Sequence, residues 1–242
     1  MDPLLKAIRE NPLFYLPDVS LKALMHFRNG FSIRCMMEGK PHDWQFDRKE
    51  FWEWLISHFQ LHGADSIGDT TIVSSFSASD VDAFHNYFAL LDKFLQQVPP
   101  RSQPDNPASK RMNFVETLRA IRERPAMYLG GPTFFGCCSY LMGDDLAYRE
   151  LQLPMDKGRV VFDEFKQWVE TEKNRALPRS WFKVISFWSV ADCGHTKSGA
   201  FSVFYEWLDE YASERGEPEV FRVSTDCNGA TVPNPQKPAS RQ

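Results

Sequence analysis

The chain has 242 residues, 43% of them hydrophobic, and a formal net charge of -4. This composition is ample for a globular core, whereas the acidic balance argues against nucleic-acid binding through a broad basic surface. The sequence has no apolar run near the roughly 18 residues of a membrane span and no recognisable signal peptide, so we expect a cytoplasmic protein without membrane contact. Its five cysteines, none in a CxxC arrangement, are expected to be reduced thiols.

Residues 1 to 98 predict a series of helices. Asp2 before Pro3 is typical of a helix start, and Asn11-Pro12 ends this helix because proline has no amide hydrogen to continue it. Apolar residues then recur at helical spacing in three further stretches. The capping residues that precede these stretches are Ser20, Asp47 and Ser79.

The segment from Thr70 to Phe76 allows two interpretations. Its β-branched residues favour a strand. Its counterpart in the second half of the chain, Trp181 to Trp188, instead places apolar residues at helical spacing. We favour a short helix in both segments.

Residues 99 to 112 are rich in proline and polar residues, so they form a predicted linker. Residues 113 to 216 repeat the order of the predicted helices, with Pro125 to Gly130 as a tight connector. Residues 217 to 242 are polar and interrupted by prolines, so this tail is expected to be largely disordered. Val220 to Val223 is a candidate short strand within it.

The two halves share a motif. Leu118 to Gly130 reads LRAIRERPAMYLG and Leu5 to Pro17 reads LKAIRENPLFYLP, at a shift of 113 residues (118 minus 5). Further matches follow in the same order, from Gly30 with Gly143 to Leu91-Asp92 with Leu208-Asp209. We therefore predict a mainly α protein of two tandem, duplicated helical-bundle domains with about four to five helices each. The first domain is the degenerate copy.

This module resembles a group of small, mostly uncharacterised bacterial helical proteins. The shared features are an RPxMYLG-like turn, here Arg124 to Gly130, a tryptophan segment at Ser180-Trp181, and a closing helix with Leu208-Asp209-Glu210. Several such proteins are immunity proteins encoded beside polymorphic or type VI secreted toxins, so the resemblance implies a helical fold and a cognate toxin as partner. The first copy departs from the motif at Asn11 and Pro17 and is expected to have kept only the scaffold.

The RPxMYLG-like motif also has a purely structural interpretation, which we favour. Pro125 ends a helix, Tyr128 and Leu129 bury apolar surface against the next helix, and Gly130 permits a positive φ. The same letters resemble a fragment of the ATP-binding domain of type II topoisomerases. In this chain, however, the following helix has no asparagine to bind magnesium.

Groups that could support catalysis or bind a metal are few. His58 and His62 have the spacing of two helical metal ligands but lack the glutamate of HExxH. Cys193 and His195 place a thiol near an imidazole in a predicted loop, and Cys137-Cys138 lies on the apolar side of a helix, where thiols are usually buried. We therefore predict no enzymatic activity, no cofactor and no metal site.

The remaining acidic and aromatic residues of the second half predict a surface for another protein. Acidic side chains suit the basic lining of a nucleotide or nucleic-acid site in a toxin, and aromatic anchors supply much of the affinity of protein interfaces. The candidate partner-binding residues are Asp144, Asp145, Trp188, Asp192, His195, Glu206 and Asp209.

The leading hypothesis is a non-enzymatic immunity protein that neutralises a cognate bacterial toxin by binding and occluding it. The alternative is a nucleotide- or small-molecule-binding enzyme or regulator with a site between the two copies, where pockets commonly form. A third possibility is a helical scaffold within a larger complex.

Overall fold

The computed structural model describes residues 1–40, 42, 44, 46–63, 67–98, 112–173, 180–193 and 197–216. Within these ranges the chain is helical and contains no strand, which confirms a mainly α fold. The helices are α1 Pro3–Glu10, α2 Pro12–Tyr15, α3 Leu21–Met37, α4 Arg48–His58, α5 Asp69–Ser75, α6 Asp80–Gln97, α7 Phe114–Glu123, α8 Pro125–Leu129, α9 Phe134–Glu150, α10 Lys157–Trp168, α11 Trp181–Cys193 and α12 Lys197–Glu214, with a π-helical segment at Val169–Lys173 after α10.

The predicted capping residues begin their helices. The side chain of Ser20 accepts an amide hydrogen of α3 at 3.0 Å, and the side chains of Asp47 and Ser79 cap α4 and α6 in the same way. Asn113 and Glu116 form a capping box at the start of α7. These caps satisfy amides that have no partner inside the helix, so the helix starts are local properties of the sequence.

The first half (residues 1–98) and the second half (residues 113–216) each contain six helices in the described ranges, rather than four to five. The additional helix is the predicted connector, which forms a turn of helix as α2 or α8 with proline at its first position. Gly130 ends α8 with a φ of 66°, as predicted. The short helices predicted at Thr70–Phe76 and Trp181–Trp188 are confirmed as α5 and α11.

Packing explains why α5 is helical despite its β-branched residues. Ile72 and Val73 are both buried in the core of the first half, and Asp69 in its first turn pairs with Arg48 of α4 at 2.8 Å. Burial against neighbouring helices therefore outweighs an intrinsic strand preference, which is weak and dependent on context.

The two predicted non-helical regions fall largely outside the described residues. This applies to the tail at 217–242, with its candidate strand Val220–Val223, and to the linker at 99–112 apart from Met112. The carbonyl oxygen of Met112 accepts a hydrogen bond from Arg34 Nη1 at 3.0 Å.

The most extensive contact between the halves is the packing of α3 against α9. A Cβ atom on Gly30 would lie 2.0 Å from the carbonyl oxygen of Tyr140, and one on Gly143 would lie 2.0 Å from that of Phe27. These positions exchange under the 113-residue shift, since 30 plus 113 is 143 and 27 plus 113 is 140. The glycine of each helix thus contacts the backbone of the other helix at the corresponding position. Such reciprocal contacts are the pattern of a two-fold interface.

The central helices α3 and α9 are parallel. Moving toward the C-terminus of α3, the contacts are His26 with Gly136, Gly30 with Tyr140 and Arg34 with Asp144, so both numbers rise together. The N-terminal ends of the two helices therefore meet at one end of the molecule. Their C-terminal ends meet at the other.

Each half builds its own core around this pair. The first core extends in sequence from Leu5 to Phe94 and includes Ala147 from α9, and the second extends from Phe114 to Ala212, with Ile33 from α3 packed against it. The central helices therefore each contribute to both cores. Separation of the halves would expose apolar surface from both, which is unfavourable in water.

Corresponding contacts recur in both halves. Arg9 pairs with Asp92 at 2.6 Å, and Arg122 pairs with Asp209 at 2.7 Å. The same correspondence holds for three pairs of aromatic contacts: Tyr15–Phe27 with Tyr128–Tyr140, Phe51–Phe94 with Phe165–Tyr211, and Phe84–Phe88 with Phe201–Tyr205. These contacts therefore join, in each half, residues that the sequence alignment of the halves pairs with one another.

Candidate functional site

A cleft of about 770 Å³ lies between the two halves. It is situated where the N-terminal ends of α3 and α9 meet, with the start of α6 on the first-half side and α11 on the second-half side. Its volume lies within the range of about 300–1,000 Å³ that is usual for small-molecule sites.

Small residues leave this end of the central helix pair open. Ala23 of α3 and Gly136 of α9 both line the cleft and are equivalent under the 113-residue shift. A Cβ atom on Gly136 would lie 2.3 Å from Thr133 Oγ1 and 3.1 Å from Nε2 of His26. Any larger residue at this position would therefore displace both polar side chains.

One side of the cleft is apolar and continues onto the protein surface. Leu129 and Phe134 are buried in its wall, whereas Phe135 is 43% exposed and Val190 is 51% exposed at its edge. Phe187, one turn before Val190 on α11, is 57% exposed. We refer to Phe135, Phe187 and Val190 as the cleft mouth.

The polar side chains of the cleft have unused hydrogen-bonding capacity. Lys22 makes no ion pair within the described ranges, and Thr133 does not cap α9 in the way that Ser20 caps α3. His26 Nδ1 is shielded from solvent and has no hydrogen-bond partner. Burial, and secondarily the charge of Lys22, lowers the pKa of His26, so its imidazole is neutral near pH 7.

Asp144, a predicted surface residue, lies in the interior. It is 2% exposed, and its carboxylate is held between Arg34 of α3, at 2.8 Å, and Arg159 of α10. The expectation of an exposed acidic edge is therefore wrong at Asp144, because its position next to Gly143 faces the other central helix. Asp145 is partly exposed and pairs with Arg149 at 2.5 Å.

The other candidate partner-binding residues are dispersed. Asp209 accepts two hydrogen bonds from Arg122, at 2.9 and 2.7 Å. Trp188 is half-buried and donates through Nε1 to the carbonyl oxygen of Lys173 at 3.0 Å, whereas Glu206 is exposed. The side chain of Asp192 and the whole of His195 lie outside the described residues.

The ion pair between Arg122 and Asp209 gives the RPxMYLG-like motif a structural connection. Arg122, two residues before Arg124, lies over the ring of Tyr205 at 5.0 Å and connects α7 to α12. Leu129 is buried beside the cleft. The helix that leads into the motif, α7, is therefore joined to the closing helix α12.

Among the described residues, the candidate metal ligands and nucleophiles do not form a common cluster. His58 stacks on Trp54 with ring centroids 4.5 Å apart, and no group of three metal-ligating side chains was found in the described ranges. Cys137 and Cys138 are buried, and burial raises the pKa of the Cys137 thiol to about 12. A thiol with such a pKa is a poor nucleophile at neutral pH.

Sequence reasoning missed the cleft and its residues Lys22 and His26. The available signal was the small-residue pair Ala23 and Gly136 at the 113-residue shift, but its meaning depends on how two distant helices pack. No helix in the described ranges is both long and apolar enough to cross a membrane. Comparison with protein-family models, curated proteins and solved structures gave no match to this chain.

Proposed function

We propose that the chain is a non-catalytic protein that binds another protein through the cleft mouth. The observation that carries this proposal is the exposure of Phe135 and Val190 at the edge of an open cleft, with Phe187 exposed one turn before Val190. Exposed apolar residues that are grouped beside a cavity are typical of interaction surfaces, and a cavity can receive an anchoring side chain of the partner.

We further propose that the partner is a bacterial toxin, which the chain neutralises in the cytoplasm by occlusion. This identity comes from the resemblance of Arg124–Gly130 and the closing helix to immunity proteins. The net charge of -4 favours association with a basic partner surface. Asp145, Trp188, Asp192, His195 and Glu206 remain candidates for peripheral contacts, whereas Asp144 has no solvent-facing surface to offer.

The two halves are proposed to have arisen by tandem duplication of one helical bundle. The recurring ion pairs and aromatic contacts support this origin, as do the reciprocal contacts of Gly30 and Gly143. The halves then diverged beside the cleft, because Phe135 and Val190 of the second half are exposed at its edge, whereas the exposed residues of α5 include the polar Thr71 and Ser75. The cleft mouth is thus a feature of the second half.

The proposal is tested by co-expression with the product of the neighbouring gene. We expect a stable complex and protection of the cells from that product. The double variant Phe135→Asp/Val190→Asp should lose both, because two charges would replace apolar anchors. Val160→Asp, a change at an exposed valine of α10 outside the cleft, should retain both. Absence of a complex and of protection with the unaltered chain would contradict the proposal.

A second candidate function, small-molecule binding in the cleft, is favoured by the volume of about 770 Å³ and by the free polar groups along its floor. The two candidate functions predict different results for the isolated chain. A small ligand would bind the isolated chain, whereas occlusion of a toxin requires a second protein.

A further inference from the structure

The floor of the cleft brings polar groups from both central helices together. Lys22 and His26 lie one turn apart on α3, and Thr133 and Gly136 lie opposite them at the start of α9. Thr133 Oγ1 and His26 Nε2 both approach the position that a side chain at residue 136 would fill. Glycine at this position keeps the point of convergence open.

These groups can donate hydrogen bonds but have no acceptor. Lys22 is unpaired and the hydroxyl of Thr133 makes no hydrogen bond within the described ranges. A neutral His26 carries one N–H. The first amides of α9 are not capped by the Thr133 side chain, and the helix dipole adds positive potential at the same end. Together these features favour an acceptor that carries negative charge.

The charged side chains around the cleft limit how much negative charge a bound ligand can carry. No arginine lines the cleft, and Lys22 is its only lysine in the described ranges. Asp18, which accepts a hydrogen bond from the Ser20 hydroxyl at 2.9 Å, and Asp80 also line it. Two carboxylates would repel a polyphosphate more strongly than a singly charged group, and Lys22 can donate a charge-assisted hydrogen bond to one anionic group.

The apolar wall specifies the rest of the ligand. Leu129, Phe134 and Phe135 lie on one side of the cleft and Val190 on another. Aromatic walls pack well against a planar ring, by stacked or edge-to-face contact. A ligand with one ring system would therefore bury its apolar surface here while its charged group reached the floor.

We propose that the cleft binds a small aromatic carboxylic acid, with its ring between α9 and α11 and its carboxylate near Lys22, His26 and Thr133. This inference rests on the second candidate function and requires no protein partner. The wall residues supply affinity for the ring, and Lys22 and Thr133 distinguish the acid from an uncharged analogue. Binding at this point would fix the spacing of the N-terminal ends of α3 and α9.

The test is calorimetric titration of the purified full chain with naphthylacetate and with its uncharged analogue naphthylacetamide. We expect the acid to bind about tenfold more tightly than the amide, the size of one charge-assisted hydrogen bond. Lys22→Met and Thr133→Val should each reduce this preference. Val190→Trp, which fills the edge of the cleft, should weaken both ligands about tenfold.

Two control variants match these changes outside the cleft. Lys93→Met removes an exposed lysine of α6, and Val160→Trp enlarges an exposed valine of α10; both should bind like the unaltered chain. The proposal is overturned if neither ligand binds at about 1 mM, a concentration that detects even weak affinity. It is also overturned if acid and amide bind equally, or if the control variants lose binding as the cleft variants do. None of these results affects complex formation on co-expression, so failure here is distinct from failure of the protein-binding proposal.

Discussion

Asp144 connects the two halves through buried charge. Its carboxylate lies between Arg34 of the first half and Arg159 of the second, and all three side chains are almost fully buried. At the equivalent place across the two-fold relation the chain has Phe31 and Ala147, both in the first core. The ionic contact therefore occurs once, and the two equivalent positions on the other side are apolar.

Removal of the Asp144 charge should destabilise the fold strongly. We expect Asp144→Asn to lower the free energy of unfolding by about 3–5 kcal/mol, because two buried guanidinium groups would lose their shared counter-ion. Asp145→Asn is the matched control, and its partly exposed pairs should contribute about 1 kcal/mol or less. Urea unfolding followed by circular dichroism measures both values, and similar losses for the two variants would disagree with the buried network.

His26 should make stability depend on pH. Burial and the Lys22 charge lower its pKa in the folded state, so the unfolded chain binds more protons in the interval below the ordinary histidine pKa of about 6.5. This contribution to stability is complete above that pH and is lost as the pH falls toward the folded-state value. His26→Gln should therefore show a smaller loss of stability between about pH 7.5 and about pH 5.5.

His85→Gln is the control for this pH dependence, because His85 is an exposed residue of α6. It should show the same loss between the two pH values as the unaltered chain. Thermal unfolding of the three proteins at both pH values provides the comparison. An unchanged pH dependence in His26→Gln would indicate that His26 is not the group responsible.

At the scale of elements, the parallel helices α3 and α9 depend on their two glycines. The backbone carbonyls of Tyr140 and Phe27 occupy the space where side chains of Gly30 and Gly143 would lie. Backbone atoms cannot move aside as a flexible side chain can, so a methyl group at either position must separate the helices. Because both glycines make the same contact, their loss should have similar consequences.

We expect Gly30→Ala and Gly143→Ala each to lower the free energy of unfolding by about 1–3 kcal/mol, the usual cost of overpacking. Gly68→Ala is the control, since its nearest neighbouring atom would be 4.0 Å away. This change at the N-cap of α5 should cost less than about 1 kcal/mol. Chemical denaturation of the three variants tests the pairing of α3 with α9, and a neutral result for either central glycine would contradict it.

Helix positions were predictable from the sequence, whereas the relations between helices were not. Ser20, Asp47 and Ser79 act on amides within three residues of themselves, so local rules located the starts of α3, α4 and α6. Asp144 is different, because its partner Arg34 is 110 residues away. Its burial depends on the packing of α3 against α9, which no local pattern records.

At the scale of the whole molecule, the cleft arises from joining two halves of similar fold. Neither half alone encloses it, since Lys22 and His26 come from one half and Phe135 and Val190 from the other. The two exposed apolar residues that line the cleft, Phe135 and Val190, both come from the second half. The two halves together thus form the cleft, and α9 and α11 of the second half carry the proposed binding surface.

The proposed binding site is most directly tested by hydrogen exchange of the chain alone and in complex with the protein that co-purifies with it. We expect slower exchange in the complex for amides at the start of α9 and along α11, where Phe135, Phe187 and Val190 lie. Exchange should change little in α4, which packs in the core of the first half. Protection confined to α4, or no difference between free and bound chain at the cleft mouth, would contradict it.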